Sequence, residues 1–408
     1  MKLLWLSGQY PPRTKGGGEI STHLTAAGLV AVGHEVTVVT QGFDGKFLER
    51  EMDGVRVWEI PADLTSKPLL ERRAALAAAE VIRRDVLSRD EFDVWHAHDF
   101  RTALVLAEAG VKKSVVTARD FAQISGSTNH FWGSGHVAES EFNWRSLFND
   151  HRVAEAAGLR KMGRFLQYVL NVRYRQRVFA DYDAQIFISR AQLSEIKTYQ
   201  SLENQMTEVI YNPVQTEFLA MPPVVGQEDT VLYVGRVEMY KGVGVLLEAW
   251  GKVLKERPQA RLRIVGEGAQ KESYEQLVRR NGWGTSVEFE SYRDWDQIQS
   301  LYDEARVVVA PHLWMEPFGR TVAEAMGRGK VVVASGSGGP GELIEDGVSG
   351  VLCEPGSVDD LAKGLLYGLG DEALGMGDRA RLWAQGYLAV SVIAGQYAAF
   401  YARMLHTD

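Results

Sequence analysis

At 408 residues the chain is longer than one ordinary hydrophobic core supports, so two domains are expected. With 45% hydrophobic and 24% charged residues it has a soluble globular composition, and its net charge of −8 argues against general nucleic-acid binding, which requires a basic surface. The single cysteine, Cys353, excludes an internal disulfide and fits a reducing cytoplasm, and no apolar run approaches the roughly 20 residues that span a bilayer.

The N-terminal MKLLWLSGQYPP is too short for a signal peptide, and residues 2–7 read as a first strand. A loop with a triple glycine, Gly16 to Gly18, leads into an expected helix from Ile20 to Val32, and HEVTVVT supplies a second strand. Glycines at a loop–helix junction permit close backbone approach to a ligand phosphate. The spacing is not the G-x-G-x-x-G dinucleotide fingerprint, however, and no ribose-binding acid ends the second strand. A strand follows at VRVWEI, within 51–60, and a charged amphipathic helix over 69–89. The segment FDVWHAHDF, 92–100, reads as a strand running into a polar turn, which places His96, His98 and Asp99 at the ligand edge of a parallel sheet. Two histidines at i and i+2 with one aspartate do not complete a metal shell, so no metal site is expected.

The strand SVVTARDF, 114–121, ends in Arg119 and Asp120. From Ala122 to Trp144 the chain has little periodicity, which reads as an acceptor-site loop and lid. Over 152–177, seven cations (Arg152, Arg160, Lys161, Arg164, Arg173, Arg175 and Arg177) face a single acid, Glu155, and interleave with apolar residues. Such a segment reads as a peripheral membrane contact, as a receptor for an anionic acceptor, or as a helix whose arginines form ion pairs. Two buried strands, 183–189 and 207–214, precede a Pro- and Gly-containing linker. The domains expected are 1–214, 215–385 and a returning C-terminal helix within 386–408.

The second domain opens with a strand at 231–235 that ends in Gly235-Arg236, while Lys241-Gly242 opens a helix. A helix N-terminus disfavours cations, so Arg236 and Lys241 there suggest an anion between them. Strands at 261–268 and 286–292 follow, and Arg306–Ala310 leads into PHLWMEPFGRTVAE. That stretch enters a helix near Thr321 and leaves backbone N–H groups of Phe318, Gly319 and Arg320 pointing outward, a ready phosphate site. Glu316 and Glu324 bracket it, and carboxylates suit sugar hydroxyls. A strand at 330–335, the run GGPGELIEDGVSG and a helix from Val358 complete the domain.

EPFGRTVAEAMGRGKVVVAS, with glutamates eight residues apart, resembles the donor signature of the family-4 retaining glycosyltransferases of GT-B fold. The resemblance implies an α/β architecture of two Rossmann-like domains facing a central cleft, with the C-terminal helix packing back on the first. It implies that Arg236 and Lys241 hold the donor diphosphate, with Gly16 and Gly17 facing it. Phe318, Gly319 and Arg320 add backbone donors. Glu316 holds the sugar hydroxyls, Glu324 the ribose hydroxyls, and Gly338 and Gly339 sit beside the sugar. The nucleobase is contacted by backbone around 290–293. The D-x-x-H-x-H pattern makes His98 an acceptor-side residue, joined by Arg119 and Asp120. At 119 the family commonly has histidine, and arginine stays protonated, so no acceptor-activating role carries over.

The reaction implied is metal-independent and cofactor-free: a hexose moves from a UDP- or GDP-sugar to a hydroxyl of a glycan, lipid-linked or small-molecule acceptor. The protein would be cytoplasmic or peripheral at the inner membrane face. A sugar-nucleotide epimerase and a non-catalytic nucleotide-sugar-binding protein remain as alternatives, while a phosphorylase lacks its pyridoxal-binding signature.

Overall fold

The computed structural model describes residues 1–14, 16–65, 71–124, 158–220, 229–291 and 295–406. The expected acceptor loop beyond residue 124, the linker over 221–228 and part of the expected nucleobase contact, 292–294, lie outside these residues. The chain divides into two compact units, one holding the described residues up to Pro213 together with Val390–His406, the other spanning Val214 to Ala389.

The first unit is built on an eight-stranded sheet in the order β3-β4-β2-β1-β5-β6-β7-β8. Its strands are β1 (Lys2–Leu6), β2 (Glu35–Gln41), β3 (Leu48–Met52), β4 (Val55–Ile60), β5 (Val94–Ala97), β6 (Ser114–Ala118), β7 (Ala184–Phe187) and β8 (Met206–Val209). All pairings are parallel except β3 with β4. Continuous apolar runs such as LLWL and VVTA are buried on both faces, as central parallel strands must be. The edge strand β3, LEREM, escaped the sequence reading because its charged residues carry no apolar alternation. Charges of that kind keep a sheet edge from pairing with other chains.

Helices α1 (Gly17–Ala31), α2 (Glu71–Asp85) and α3 (Phe100–Ala109) cross over between strands. Helix α1 starts three residues before the expected Ile20, because Gly16 takes an extended N-cap conformation and Gly17 and Gly18 form the first turn. Helix α4 (Gly158–Ala180) is the basic segment, followed by α5 (Arg190–Tyr199). The side chains of Arg152, Arg160 and Lys161 lie outside the described residues. Arg175 does not belong to an outward basic face. It is 4% exposed, with Nε donating to Glu71 Oε2 at 2.7 Å and Nη1 to the Ala122 carbonyl at 2.8 Å. The acid that answers it comes from α2, 104 residues away, which local charge counting could not register.

The second unit carries an all-parallel six-stranded sheet, β11-β10-β9-β12-β13-β14. The strands are β9 (Thr230–Val234), β10 (Arg261–Val265), β11 (Val287–Glu290), β12 (Val307–Ala310), β13 (Val331–Ser335) and β14 (Val351–Cys353). Its helices are α6 (Thr216–Ala220), α7 (Val243–Glu256), α8 (Lys271–Arg280), α9 (Trp295–Glu304), α10 (Arg320–Gly327), α11 (Pro340–Leu343), α12 (Val358–Gly368) and α13 (Met376–Tyr387). Helix α7 buries Leu246, Leu247, Trp250 and Val253 against the sheet, an i, i+1, i+4, i+7 stripe.

The last helix, α14 (Val390–Leu405), is part of the first unit. Gly28 of α1 lets it approach, since a Cβ there would stand 2.7 Å from Val390. Tyr397, Phe400 and Tyr401 fill the first core.

Candidate active site

In each unit the parallel strands end on one edge, and the loops leaving that edge carry the chemistry. In the second unit β9 is followed by Gly235 and Arg236, whose side chain is 70% exposed and pairs with Glu238 at 3.2 Å. Lys241 ends a short 3-10 turn before α7, and its Nζ donates to Glu316 Oε2 at 2.7 Å. Gly242 makes this possible. Its φ is 77°, and a Cβ would stand 1.7 Å from the Pro311 carbonyl oxygen, so only glycine lets the two loops cross. A hydrogen bond from Leu313 N–H to the Tyr240 carbonyl closes the crossing.

The Lys241–Glu316 pair is nearly sealed, at 18% and 14% side-chain exposure. Burial works to raise the Glu316 carboxyl, but the Lys241 charge and hydrogen bond outweigh it, with His312 assisting, and hold it below the ordinary carboxylate range. His312 Nε2 lies 3.4 Å from Glu316 Oε2, and burial, aided by Lys241, pushes the imidazole down to about 4. The ring is therefore neutral at pH 7. Lys241 also stands 5.0 Å from the centre of the Trp314 ring, a cation–π distance. His312 and Trp314 were not singled out from sequence; their positions four and two residues before Glu316 are the only trace of this role.

The loop then turns into α10 through Gly319, at φ 87°. Phe318 is 3% exposed and anchors the turn in the core, so only its backbone and those of Gly319 and Arg320 serve the helix N-terminus. Among the described residues, no side chain caps the N-terminus of α10. Gly338 and Gly339 lie against the same loop: Gly339 N–H donates to the Glu316 carbonyl at 2.8 Å, and a Cβ on Gly338 would stand 2.2 Å from that oxygen. Glu324 is 5% exposed; its Oε2 accepts from Tyr302 OH at 2.8 Å and its Oε1 pairs with Arg320 Nε at 2.7 Å. Tyr302, from α9, has no signal in the sequence.

In the first unit, the loops after β1, β4, β5 and β6 and the first turn of α1 line a half-open cavity of about 470 Å³. Gly18, Glu19, His98, Asp99, Arg101, Arg119 and Asp120 are among its walls. His98 is 1% exposed, stacked on His96 at 4.1 Å and in tilted contact with Trp5 at 4.0 Å. The expectation that His96 lies at the sheet edge is corrected. It is fully buried, bonded through Nδ1 to Tyr401 OH at 2.5 Å and through Nε2 to Thr117 Oγ1 at 2.8 Å. A strand residue two positions before the edge faces the same side as His98 but lies deeper, under α14.

Arg119 extends across the floor. Its Nε donates to the His98 carbonyl at 3.0 Å, Nη1 to Asn212 Oδ1 at 2.7 Å, and Nη2 to Thr22 Oγ1 and His98 Nδ1, both at 3.1 Å. Asp99 is the N-cap of α3, accepting from the Arg101 and Thr102 amides, and its Oδ2 also accepts from Gly8 N–H at 3.0 Å. Asp120 Oδ1 accepts from Ala122 N–H at 2.9 Å, and burial pushes its carboxyl up to about 6. Gly16 and Gly17 begin α1 beside this cavity, and burial, then the neighbouring Asp99, raises the Glu19 carboxyl above its ordinary range.

Among the described residues, no cluster of three or more His, Cys, Asp and Glu side chains is arranged to hold a metal. No described helix is long and apolar enough to cross a membrane.

Two parallel-sheet α/β units of this topology define the GT-B class of sugar-transferring enzymes. Sucrose-phosphate synthase from Thermosynechococcus elongatus superposes with a TM-score of 0.79, covering 100% of both chains at 20% identity. Anabaena HepE, solved in complex with UDP and glucose, gives a TM-score of 0.69 at 21% identity, covering 98% of this chain and 99% of that one. The profile of Glycosyltransferase Family 4 matches residues 15–218, and that of Glycosyl transferases group 1 matches residues 215–387. The chain belongs to glycosyltransferase family 4 and is a glycosyltransferase. A glycosyltransferase of Methanocaldococcus jannaschii, itself uncharacterized, is 29% identical over 379 residues, 90% of this chain and 88% of that protein.

Proposed function

We propose that the protein moves a hexose from a UDP- or GDP-sugar to an acceptor hydroxyl, with retention of anomeric configuration and without a metal ion. The observation that carries this reading is the nearly sealed pair between Lys241, on the turn before α7, and Glu316, on the loop that opens α10. A lysine held beside a helix N-terminus supplies, without a metal, the positive charge that a departing diphosphate needs. Arg236, largely in solvent and paired with Glu238, closes onto the same phosphates. The amides of Phe318, Gly319 and Arg320 add backbone donors, and Gly16 and Gly17 are further donor-binding residues in this reading.

Glu316 has lone pairs beyond the one engaged by Lys241, and they accept from the sugar hydroxyls. Glu324 trades its bond from Tyr302 or Arg320 for the ribose hydroxyls. The bond from the anomeric carbon to the leaving phosphate oxygen breaks while the acceptor oxygen bonds on the same face. The acceptor proton passes to that phosphate oxygen. The acceptor side comprises His98, Arg119 and Asp120. The HepE complexes with UDP and with UDP-glucose support a uridine donor as the first to try. We place the protein in the cytoplasm, with α4 as the element that would touch a membrane surface.

A thermal-shift panel of UDP-, GDP- and ADP-sugars in EDTA tests the donor assignment, because a ligand that binds only the native state raises its melting temperature. One donor should stand out, and its shift should be lost in Glu316→Ala. No shift with any donor contradicts the reading, and conversion of a donor into its epimer without acceptor would replace transfer with epimerisation.

A further inference from the structure

His312, in the loop between β12 and α10, is 6% exposed, and its backbone is fastened on both sides. The carbonyl of Pro311 before it lies against Gly242, where a Cβ would come within 1.7 Å. The Leu313 N–H after it donates to the Tyr240 carbonyl at 2.9 Å. The ring so fixed has its Nε2 3.4 Å from Glu316 Oε2, the same oxygen that Lys241 Nζ reaches at 2.7 Å. Two nitrogens thus converge on one carboxylate oxygen, and the lone pairs of Oε1 are left over. Trp314 borders the same carboxylate and is itself held edge-on by Tyr240 at 5.4 Å.

Burial, aided by the Lys241 charge, brings the imidazole down to about 4, so at pH 7 the ring carries one hydrogen. Among the described residues, His312 Nδ1 is buried without a hydrogen-bond partner. Either tautomer leaves that nitrogen unanswered, so the choice is made at Nε2. A hydrogen there meets a carboxylate, whereas a bare lone pair would be repelled by it. The ring is therefore a neutral donor aimed at Oε2. A second donor matters because Lys241 has two calls upon it. A departing diphosphate draws the ammonium, and Glu316 would then lose both its counter-charge and its orientation. A neutral N–H is drawn to phosphate less strongly than an ammonium, and the fastened backbone keeps it at the carboxylate.

We propose that His312 is a positioning residue of the transfer: its Nε2–H holds Glu316 Oε2 while Lys241 turns to the diphosphate, and Oε1 stays aimed at the sugar hydroxyls. This role rests on the function proposed above, because His312 acts through Glu316 and does not itself touch the substrate.

The test is a double-mutant cycle on the full chain, using the donor that wild type consumes and, as binding probes, UDP and GDP. His312→Leu removes both nitrogens and keeps most of the bulk. It should lower kcat about tenfold or more while leaving nucleoside-diphosphate affinity within about twofold, since those probes have no sugar for Glu316 to hold. His312→Gln, whose amide offers an N–H near the place of Nε2, should recover kcat to within about threefold of wild type, which a merely structural histidine would not show. In the Glu316→Gln background, His312→Leu should cost no more than about twofold, because the group it acts through is already altered. Two-bond ¹H–¹⁵N spectra of histidine-labelled protein should show the Nε2–H tautomer at His312. An Nδ1–H tautomer, equal losses in both backgrounds, or no recovery in His312→Gln overturns the proposal. A loss in Glu316→Gln with His312→Leu as fast as wild type sinks this inference alone, whereas unchanged turnover in Glu316→Gln sinks the function proposed above as well. Binding of UDP or GDP by each variant shows that it is folded.

Discussion

Lys241 and Glu316 neutralise each other where little water reaches either side chain. Glu316→Gln leaves the ammonium partly buried without its counter-charge, a loss of about 2 kcal/mol in stability. The same variant should lower transfer by about 100-fold or more, the scale expected for a group that acts on the reacting sugar. Urea unfolding and a donor-consumption assay read the two effects separately, and turnover within twofold of wild type would contradict the role. Asp120 makes a different prediction. Burial raises its carboxyl to about 6, so folding favours the protonated form. Its stabilising share is complete below the ordinary value near ~4 and is lost as pH rises through 6. Asp120→Asn should therefore match wild type at pH 4 and exceed it by about 1–2 kcal/mol at pH 7.5, since residue 120 as a whole is only partly buried. A variant that loses stability on going from pH 4 to 7.5, relative to wild type, would contradict the assignment. At this scale the sequence was only half legible. Spacing pointed to Glu316 and Lys241 separately, but their bond joins residues 75 positions apart. Likewise Tyr302 on Glu324 and Asn212 on Arg119 are contacts that only the folded chain creates.

The strands and helices that position these residues depend on close crossings. Gly338 has φ 72°, and its missing Cβ makes room for the Glu316 carbonyl. Gly338→Ala should cost about 2 kcal/mol or more and displace the Glu316 loop. A loss of donor affinity beyond the loss of stability would show that displacement, and an unchanged melting temperature would contradict it. Helix α4 offers a contrast between buried and surface charge. Arg175→Met breaks a pair that is 5% and 11% exposed and should cost about 3 kcal/mol, whereas Arg177→Gln on the exposed side should stay within about 0.5 kcal/mol. Equal costs would return Arg175 to the outer face. Apolar runs of four or five residues made the central strands legible, since burial on both faces leaves them no polar position. The edge strand β3 was not legible for the opposite reason, being charged where it meets solvent.

For the molecule as a whole, alternating strand and helix patterns in two series, each with a glycine-rich or cationic loop after its first strand, carry the α/β class and the family in the sequence itself. The C-terminal helix shows what pattern alone does not settle. Its apolar face could be read and the resemblance implied its return to the first domain, but that Tyr397, Phe400 and Tyr401 are the residues that fill the first core follows from the folded chain. The sugar and the acceptor were not legible, because hydroxyl geometry has no counterpart in residue spacing. We propose transfer from a nucleotide sugar with retention, by a lysine–glutamate site that needs no metal. The most direct measurement is proton NMR of the donor panel incubated with the full chain, EDTA and a neutral sugar acceptor, for wild type and Glu316→Gln. One donor should be consumed, its anomeric configuration preserved in the product, and the variant should be slower by about 100-fold or more. Inverted product, turnover that stops when EDTA is added, or a variant as fast as wild type would contradict the account.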